Sequence, residues 1–226
     1  MTLQNHDLAL RMAELARVIA LRRVEDVLAD VTATAKELIP GVDVAGVLLV
    51  GKAGSFETLA QTDELMFKLD ELQMRFGEGP CLEAALDEIV VRIDDFYDEP
   101  RFPKYASEVV KLGMRSALSF KLYTADRTAG ALNLFGYEPS LWDSEAESIG
   151  MILAAHAAAA ILASREGEQL QSALSTRDRI GQAKGIIMER FKIDDVRAFA
   201  MLRQLSQDTN TKLIDVAQRV IDTRDT

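Results

Sequence analysis

Lys184 and Gly185 stand inside RIGQAKGIIMERF (Arg179–Phe191), a segment whose apolar residues recur at helical spacing. A glycine inside a helix costs roughly 1 kcal/mol relative to alanine. A lysine beside an apolar stripe extends its ammonium group to water or uses it for binding. At about 100° per residue, Ala183, Lys184 and Gly185 form a low strip with one cation at the edge of the apolar arc.

This strip has two interpretations. A bare helix surface with one cation could admit a flat or bulky anionic partner, and nucleic acid is such a partner. In the other interpretation Lys184 only reaches water, and Gly185 only avoids a clash with a neighbouring helix. The residues of the segment do not decide between the two.

Few residues of the chain could carry catalysis or bind a metal. Cys81 is the single cysteine, and His6 and His156 are the only histidines, so neither a zinc site of the finger type nor a histidine-based triad can form. No paired carboxylates stand in a setting that suggests acid–base chemistry. We therefore expect no enzyme and no cofactor that the sequence makes evident.

The composition is that of an ordinary globular protein, with 226 residues of which 48% are hydrophobic and 27% charged. No uninterrupted apolar run reaches the roughly 18 residues of a membrane span, and no secretory signal opens the chain. A cytoplasmic protein without a membrane partner is expected. The net charge of −10 is uneven, because residues 165–226 hold 11 Lys/Arg and 10 Asp/Glu and the rest carries −11. This asymmetry indicates two modules with different partners.

The first 165 residues alternate between helical and strand-like patterns. Their order predicts helix, β-hairpin, helix, strand, helix, β-hairpin and helix, which is an α+β fold with helices on the faces of an antiparallel sheet. The predicted helices are 6–38, 63–76, a short one entered at Pro80, 104–113, and one that begins at Glu145 behind a Ser144/Glu147 capping box. The hairpin turns are expected at 51–54 and 125–127.

The alanine-rich helix that follows carries a heptad seam. Its positions are Ile149, Leu153, His156, Ala160, Ala163, Gly167, Leu170 and Leu174. Such a helix could lie on its own sheet or pair two chains as a coiled coil. We expect both, with the first part on the sheet and the seam beyond about Ala160 pairing protomers in a homodimer.

From Leu174 onward the pattern predicts three short helices that form a small bundle. The first helix ends near Phe191, and Asp194 or Asp195 caps the second. Asn210 suits a left-handed turn and Thr211 a cap of the third helix. The apolar stripe of the second helix is predicted at Val196, Phe199, Leu202 and Leu205, and that of the third at Leu213, Val216, Ala217, Val220 and Ile221.

Two parts of the chain resemble known domains. The segment RIGQAKGIIMERFKIDDVRAFAMLRQLSQDTNTKLIDVAQRVI resembles the ANTAR domain, an RNA-binding module of bacterial transcription antiterminators, through AKGIIMER, the alanine-containing second helix and NTKLIDVA. The preceding region resembles a GAF sensory domain through FGEGPCLEAAL and the SALSFKL…GALNLF hairpin. The resemblance implies domains at 1–165 and 166–226 joined by the long alanine-rich helix.

The ANTAR resemblance implies recognition of paired RNA hairpins in nascent transcripts, by a dimer, so that a downstream terminator does not form. Sequence-specific reading of RNA usually targets unstacked loop bases. The expected RNA-binding residues are Arg179, Gln182, Ala183, Lys184, Arg203, Thr209, Asn210 and Lys212. The only two aromatic residues of this part, Phe191 and Phe199, fall on apolar stripes, so stacking is not the expected mode.

A GAF fold commonly holds a small molecule between its sheet and the segments that cover it. The candidate lining residues are Cys81, Phe96, Tyr105, Phe120 and Phe135. Cys81 stands at a helix start, where a thiol pKa falls and reactivity rises. A small buried apolar side chain is the alternative.

Two other function classes remain open. The three C-terminal helices could act as a DNA-binding helix-turn-helix, but the last helix offers few basic side chains for a major groove. A sensor dimer that binds only protein would agree with the acidity of the chain. DNA is not an expected partner.

Overall fold

The computed structural model describes residues 23–50, 55–86, 89–124 and 127–223. They form two compact units, with the boundary between Ser164 and Arg165. The elements of the first unit are α1 (Val24–Leu38), β1 (Val44–Val50), β2 (Phe56–Leu59), α2 (Leu65–Phe76), α3 (Pro80–Leu86), β3 (Val90–Ile93), α4 (Pro103–Lys111), β4 (Ser116–Thr124) and β5 (Arg127–Gly136). A 3₁₀ turn, Phe96–Asp98, precedes α4. Helix α5 (Ser144–Phe191) continues into the second unit, where α6 (Asp195–Asp208) and α7 (Leu213–Asp222) follow.

The five strands form one antiparallel sheet in the order β2-β1-β5-β4-β3. The β1/β2 and β4/β5 pairs are the two predicted hairpins, with Val47 opposite Leu59 and Leu118 opposite Leu134. The α+β fold predicted from the alternation of patterns is therefore confirmed. The turn at 51–54, residues 125–126 and the predicted helix before Arg23 lie outside the described residues.

Each face of the sheet buries its own apolar cluster, because side chains along a strand alternate between the two faces. Leu118, Phe120, Leu132 and Leu134 face α1 and the first part of α5. Ala117 and Phe135 face the opposite side, where α2 and α4 cover them. The sheet thus separates a helix that leads to the second unit from the helices that would enclose a ligand.

Helix α5 begins one residue earlier than predicted, and Asp143 provides its cap. The Asp143 carboxylate accepts the Ala146 amide at 2.8 Å, whereas Ser144 is already inside the helix. Glu147 does not close a capping box, since its carboxylate accepts a hydrogen bond from the Arg92 guanidinium at 3.2 Å. The prediction of a Ser144/Glu147 capping box is wrong because the helix begins one residue earlier, so that Asp143 and not Ser144 occupies the capping position.

Helix α5 runs for 48 residues without the break expected at Leu174. Good helix formers fill this stretch and no proline interrupts it, so a change in the apolar pattern does not end the helix. By length and composition it is the one described helix that could cross a membrane, although half of its most apolar window is buried inside the protein. The first part of α5 packs against the sheet, and this packing accounts for the high hydropathy of the window.

The second unit has a small core made by α5, α6 and α7. Its buried residues are Ala183, Ile187, Ala198, Leu202, Val216 and Ala217. The predicted stripe of α7 is confirmed, but that of α6 is not: Val196, Phe199 and Leu205 are exposed. Each helix contributes a fully buried alanine, which lets the three backbones approach closely. Ala198 therefore faces the core in place of Phe199.

The ends of α6 and α7 also test the predicted caps. Asp194 caps α6, because its carboxylate accepts the Arg197 amide at 2.8 Å. Asn210 has the left-handed conformation expected of it, with φ of 47°. The prediction for Thr211 is wrong, since Lys212 occupies the N-cap position of α7 without a side-chain hydrogen bond and the Thr211 hydroxyl donates to the Thr209 carbonyl at 3.1 Å.

Candidate functional site

Lys184 is held in place by two contacts with the α6 region. Its ammonium group forms an ion pair with Asp195 at the start of α6, and it lies 5.9 Å from the centroid of the Phe199 ring. The Lys184 side chain is 22% exposed and that of Asp195 is 63% exposed. The cation is therefore fixed at the rim of the three-helix core, with one carboxylate partner that faces solvent.

Ala183 and Gly185 have opposite environments, although both were expected to form one open strip. Ala183 is fully buried among the core residues of α6 and α7, so its side chain does not contact a partner in solution. A Cβ atom at Gly185 would meet nothing within 4 Å. The alternative in which Gly185 avoids a clash is thus wrong, and the open part of the strip consists of Gly185 and Lys184.

Two depressions flank this strip within the second unit. One, of about 630 Å³, lies beside Gly185 and is lined also by Gln182 and Arg190. The other, of about 900 Å³, lies beside Lys184 and Phe199 and extends along α5 past Gly181 to Gln169. Gln182 lines both, so its amide can reach a partner seated on either side of the strip.

The other predicted RNA-binding residues lie on the exposed surface but are distributed over α5, α6 and the turn that follows α6. Arg179 is on α5, Arg203 is on α6, and Thr209, Asn210 and Lys212 form the turn before α7. The Thr209 hydroxyl donates to the Leu205 carbonyl at 2.7 Å. None of these five lines the depression at Lys184, so the structure unites Gln182 and Lys184 in one place and leaves the others as separate contacts.

Three of the five predicted ligand-lining residues of the first unit lie together. The Phe96 ring is 5.9 Å from that of Tyr105 and 6.3 Å from that of Phe135, and all three are buried between the sheet and α4. Phe120 lies on the opposite face, where its ring packs against Gly150 of α5. The expectation that Phe120 shares a wall with the others is wrong, because adjacent β4 positions alternate between faces.

Cys81 is fully buried beside Leu48 and Ala131. Its amide donates to the Gln73 side-chain oxygen at 2.9 Å. Burial raises the pKa of the Cys81 thiol, and the nearby Asp70 carboxyl raises it further. The hypothesis of a reactive thiol is therefore wrong, since desolvation outweighs any effect of the short helix that Cys81 enters.

A buried polar cluster in this unit was not predicted from the sequence. Asp70 accepts hydrogen bonds from the Thr58 hydroxyl at 2.8 Å and the Gln73 amide at 3.4 Å, and the Ser119 hydroxyl donates to Asn133 at 2.8 Å. Burial raises the pKa of Asp70 to about 7, although its hydrogen bonds lower it. Among the residues that the structure describes, the buried Tyr105 hydroxyl finds no hydrogen-bond partner.

A sequence signal for this cluster does exist. In LMFKLDELQMRF, Asp70 and Gln73 recur with Met66 and Leu69 at the spacing of one helix face. All four residues are buried. A carboxylate on the apolar face of a helix requires partners from another element, here Thr58 of β2, and that requirement points to the cluster.

Comparisons with known families divide the chain much as the two compact units of the structure do. The GAF domain family matches residues 22–162, more than half of the chain. The ANTAR domain family matches residues 168–221. No curated protein matches the chain in sequence.

Several solved structures are similar to the chain in fold at low sequence identity. The GAF domain of a phosphoenolpyruvate-protein phosphotransferase from Coxiella burnetii has a TM-score of 0.60 at 19% identity, over 72% of this chain and 96% of that one. The corresponding domain from Acinetobacter gives 0.54 at 14%, over 72% and 97%. A free methionine-R-sulfoxide reductase from Neisseria meningitidis gives 0.51 at 20%, over 71% and 93%. At such identities the likeness concerns the fold alone.

Proposed function

We propose that this chain, which belongs to the GAF domain family and carries an ANTAR domain behind its GAF domain, is an antitermination regulator gated by its sensor. GAF domains are sensor domains and ANTAR domains bind RNA in antitermination, so the regulatory role is that of the family. In the proposed mechanism the domain from about residue 166 binds paired hairpins in nascent RNA. Binding prevents a downstream terminator from forming, and the domain up to about residue 165 controls this RNA binding.

The observation that carries the proposal is the open strip of α5 within the ANTAR match. Gly185 exposes bare helix backbone with free space above it, and the Lys184 ammonium stands beside it. A backbone without a side chain allows the sugar-phosphate chain of RNA to approach closely, and a neighbouring cation offsets its charge. Gln182 adds an amide that can donate to and accept from a base edge.

The sensor unit supports regulation and not catalysis. Its only cysteine is buried and carries a raised thiol pKa, so it lacks the accessible thiolate that thiol chemistry requires. The similarity to a sulfoxide reductase does not transfer that activity, since it reflects a shared fold. The proposed role is therefore regulatory and not catalytic, and its proposed location is the cytoplasm, where nascent transcripts are found.

The proposed RNA-binding form is a homodimer paired through α5 beyond Ala160. Leu170 and Leu174 occupy adjacent seam positions of the heptad and are 64% and 47% exposed. Apolar residues repeated at these positions pack well only against a second helix. A two-chain seam would bring two ANTAR domains together, one for each hairpin of a pair.

A gel-shift experiment tests the function. The full chain is mixed with a pool of two-hairpin RNAs with randomised loops, and separately with duplex DNA of equal length with a randomised centre, each at 50 and 200 mM salt. We expect retarded RNA, weaker at the higher salt because phosphate contacts release counterions. Retarded DNA with free RNA would support the helix-turn-helix alternative, and no retardation of either would favour a sensor dimer that binds protein.

A further inference from the structure

We propose that Phe199 is the stacking platform for one unpaired base of an RNA loop, seated in the depression between α5 and the start of α6. The proposal rests on the RNA-binding function above and adds a contact that the sequence pattern assigned to the protein core. The ligand is a single nucleobase, and the site is formed by Phe199, Lys184 and Gly181.

The Phe199 ring is available because the core does not use it. Ala198 and Leu202 fill the core side of α6, with 0% and 1% exposure, whereas Phe199 is 40% exposed. Its ring lines the depression that also contains Lys184. Its ring lies 5.9 Å from the Lys184 ammonium, and an aromatic ring beside a cation holds a base by stacking and by cation–π attraction.

The α5 side of the depression leaves room for a flat ligand. Arg177, Gly181 and Lys184 recur at i, i+4 and i+7 and so share one helix face. A Cβ atom at Gly181 would meet nothing within 4 Å, so bare backbone lies between the two cations. The depression of about 900 Å³ is large enough for a nucleobase.

The charges of the depression favour a base over a phosphate. Its two cations, Arg177 and Lys184, are balanced by Asp178 in its lining and by Asp195, the ion-pair partner of Lys184. The rest of its polar lining is uncharged: Gln169, Ser172, Thr176 and Gln182. Amides and hydroxyls of this kind donate to and accept from base edges, so the lining of the depression suits a base, while the Lys184 ammonium at its rim can still offset the charge of the RNA backbone.

Two Phe199 variants of the full chain separate stacking from packing. Phe199→Leu keeps an apolar side chain and removes the ring, whereas Phe199→Tyr keeps the ring. RNAs selected by the wild type from the random-loop pool serve as probes, with 2-aminopurine placed singly at each unpaired position. We expect Phe199→Leu to weaken binding about tenfold or more, and Phe199→Tyr to bind within about twofold of wild type.

The fluorescence of the labelled RNAs locates the base. We expect quenching of 2-aminopurine at one loop position with wild type and Phe199→Tyr, and its loss with Phe199→Leu. Gly181→Leu fills the depression without altering the ring, and it should also weaken RNA binding and abolish the quenching. Circular dichroism and thermal melting confirm that each variant folds.

The outcomes separate the two proposals. Wild-type affinity and quenching in Phe199→Leu would overturn the stacking site while RNA binding itself stands. A change in the monomer–dimer equilibrium of Phe199→Leu, with unchanged affinity for a single hairpin, would assign the ring to a second copy of the chain and also overturn it. If the wild type selects no RNA from the pool, the RNA-binding function fails and this inference fails with it.

Discussion

Lys184 of α5 forms an ion pair with Asp195, the first residue of α6. The pair joins two elements of the ANTAR unit at the edge of its core, and it holds the ammonium group near the Phe199 ring. Because Asp195 is largely exposed, an approaching phosphate meets a cation and a carboxylate at the same place. The two members of the pair are therefore expected to affect RNA binding in opposite directions.

Lys184→Ala should weaken RNA binding roughly tenfold and reduce the slope of log affinity against log salt by about 1. The melting temperature should change little, since an ion pair open to solvent contributes about 0–1 kcal/mol. Affinity is measured by fluorescence anisotropy at several salt concentrations. Arg219→Ala removes an equal charge from an exposed site on α7 and serves as control; an equal loss in both variants would contradict a specific role for Lys184.

Asp195→Asn should strengthen RNA binding by about 3- to 10-fold at low salt, because it removes a repelling charge and frees Lys184 for a phosphate. The gain should shrink as salt is added, since screening reduces both effects. Asp215→Asn, at an exposed position in the first turn of α7, removes the same charge elsewhere. The special role of the Lys184–Asp195 pair is contradicted if the two asparagine variants gain equally.

Gly185→Ala should separate stability from function. With nothing within 4 Å of the added Cβ atom, the variant should gain about 1 kcal/mol of unfolding free energy from helix propensity. It should also bind RNA less tightly, because the methyl group would stand where we propose that the RNA backbone approaches. Ser175→Ala, at an exposed position of α5 outside the seam and outside both depressions, is the control and should gain a few tenths of a kcal/mol from helix propensity without losing affinity. A Gly185→Ala protein that binds RNA as wild type does would show that the bare backbone is not used.

The strand pairs could be predicted from the sequence because side chains along a strand alternate between the two faces of a sheet. A shift of the pairing by one residue would move every apolar side chain to the wrong face. Leu118 and Leu134, for example, fall opposite each other on the face that α5 covers. The face of α6 could not be predicted in the same way. The spacing of the large apolar residues predicts that Phe199 faces the core. In the structure the three helices pack closely, and the small Ala198 faces the core instead.

The sequence indicates which residues of the candidate site are unusual, but not which of them face solvent and which face the core. Lys184 and Gly185 stand out in the sequence because each is unusual in its helix, but Ala183 gives no sign that it faces inward. Its burial depends on Ala198 and Ala217, which come from other helices. The exposure of Phe199 follows from the same tertiary packing, so a single-helix argument does not reveal it.

Asp70→Asn should raise the stability of the sensor domain at pH 8 by a few kcal/mol, with each pKa unit worth about 1.4 kcal/mol. The pKa of Asp70 is about 7 in the folded state, against an ordinary value of 3.8. The folded protein therefore retains this proton between about pH 4 and 7 while the unfolded chain loses it, so the contribution of Asp70 to stability falls as the pH rises through that window.

Urea unfolding of wild type and Asp70→Asn at pH 4, 5, 6, 7 and 8 measures the difference directly. The gap between the two proteins should widen up to about pH 7 and then stay constant. Asp98→Asn, at an exposed position of the same domain, should follow the wild type throughout. A constant gap at all pH values would show that Asp70 does not hold its proton in the folded state.

Leu170→Asp and Leu174→Asp should each separate the proposed homodimer. These seam positions are solvent-exposed within one chain, so a carboxylate there costs the folded monomer little, whereas an apolar seam between two chains would have to bury it unpaired. Sedimentation equilibrium should show a dimer dissociation constant raised by 100-fold or more. Gln171→Asp adds the same charge to an exposed neighbouring position of α5 and should remain dimeric.

The same leucine variants test the link between dimerisation and paired hairpins. A monomer carries one ANTAR domain, so its affinity for a single hairpin should equal that of wild type, while its affinity for the two-hairpin RNA should fall because the second binding event is no longer intramolecular. The expected loss is at least tenfold and specific to the two-hairpin probe. An equal loss on both probes would mean that the seam supports the fold of each ANTAR domain, and unchanged binding to both would mean that one chain engages both hairpins.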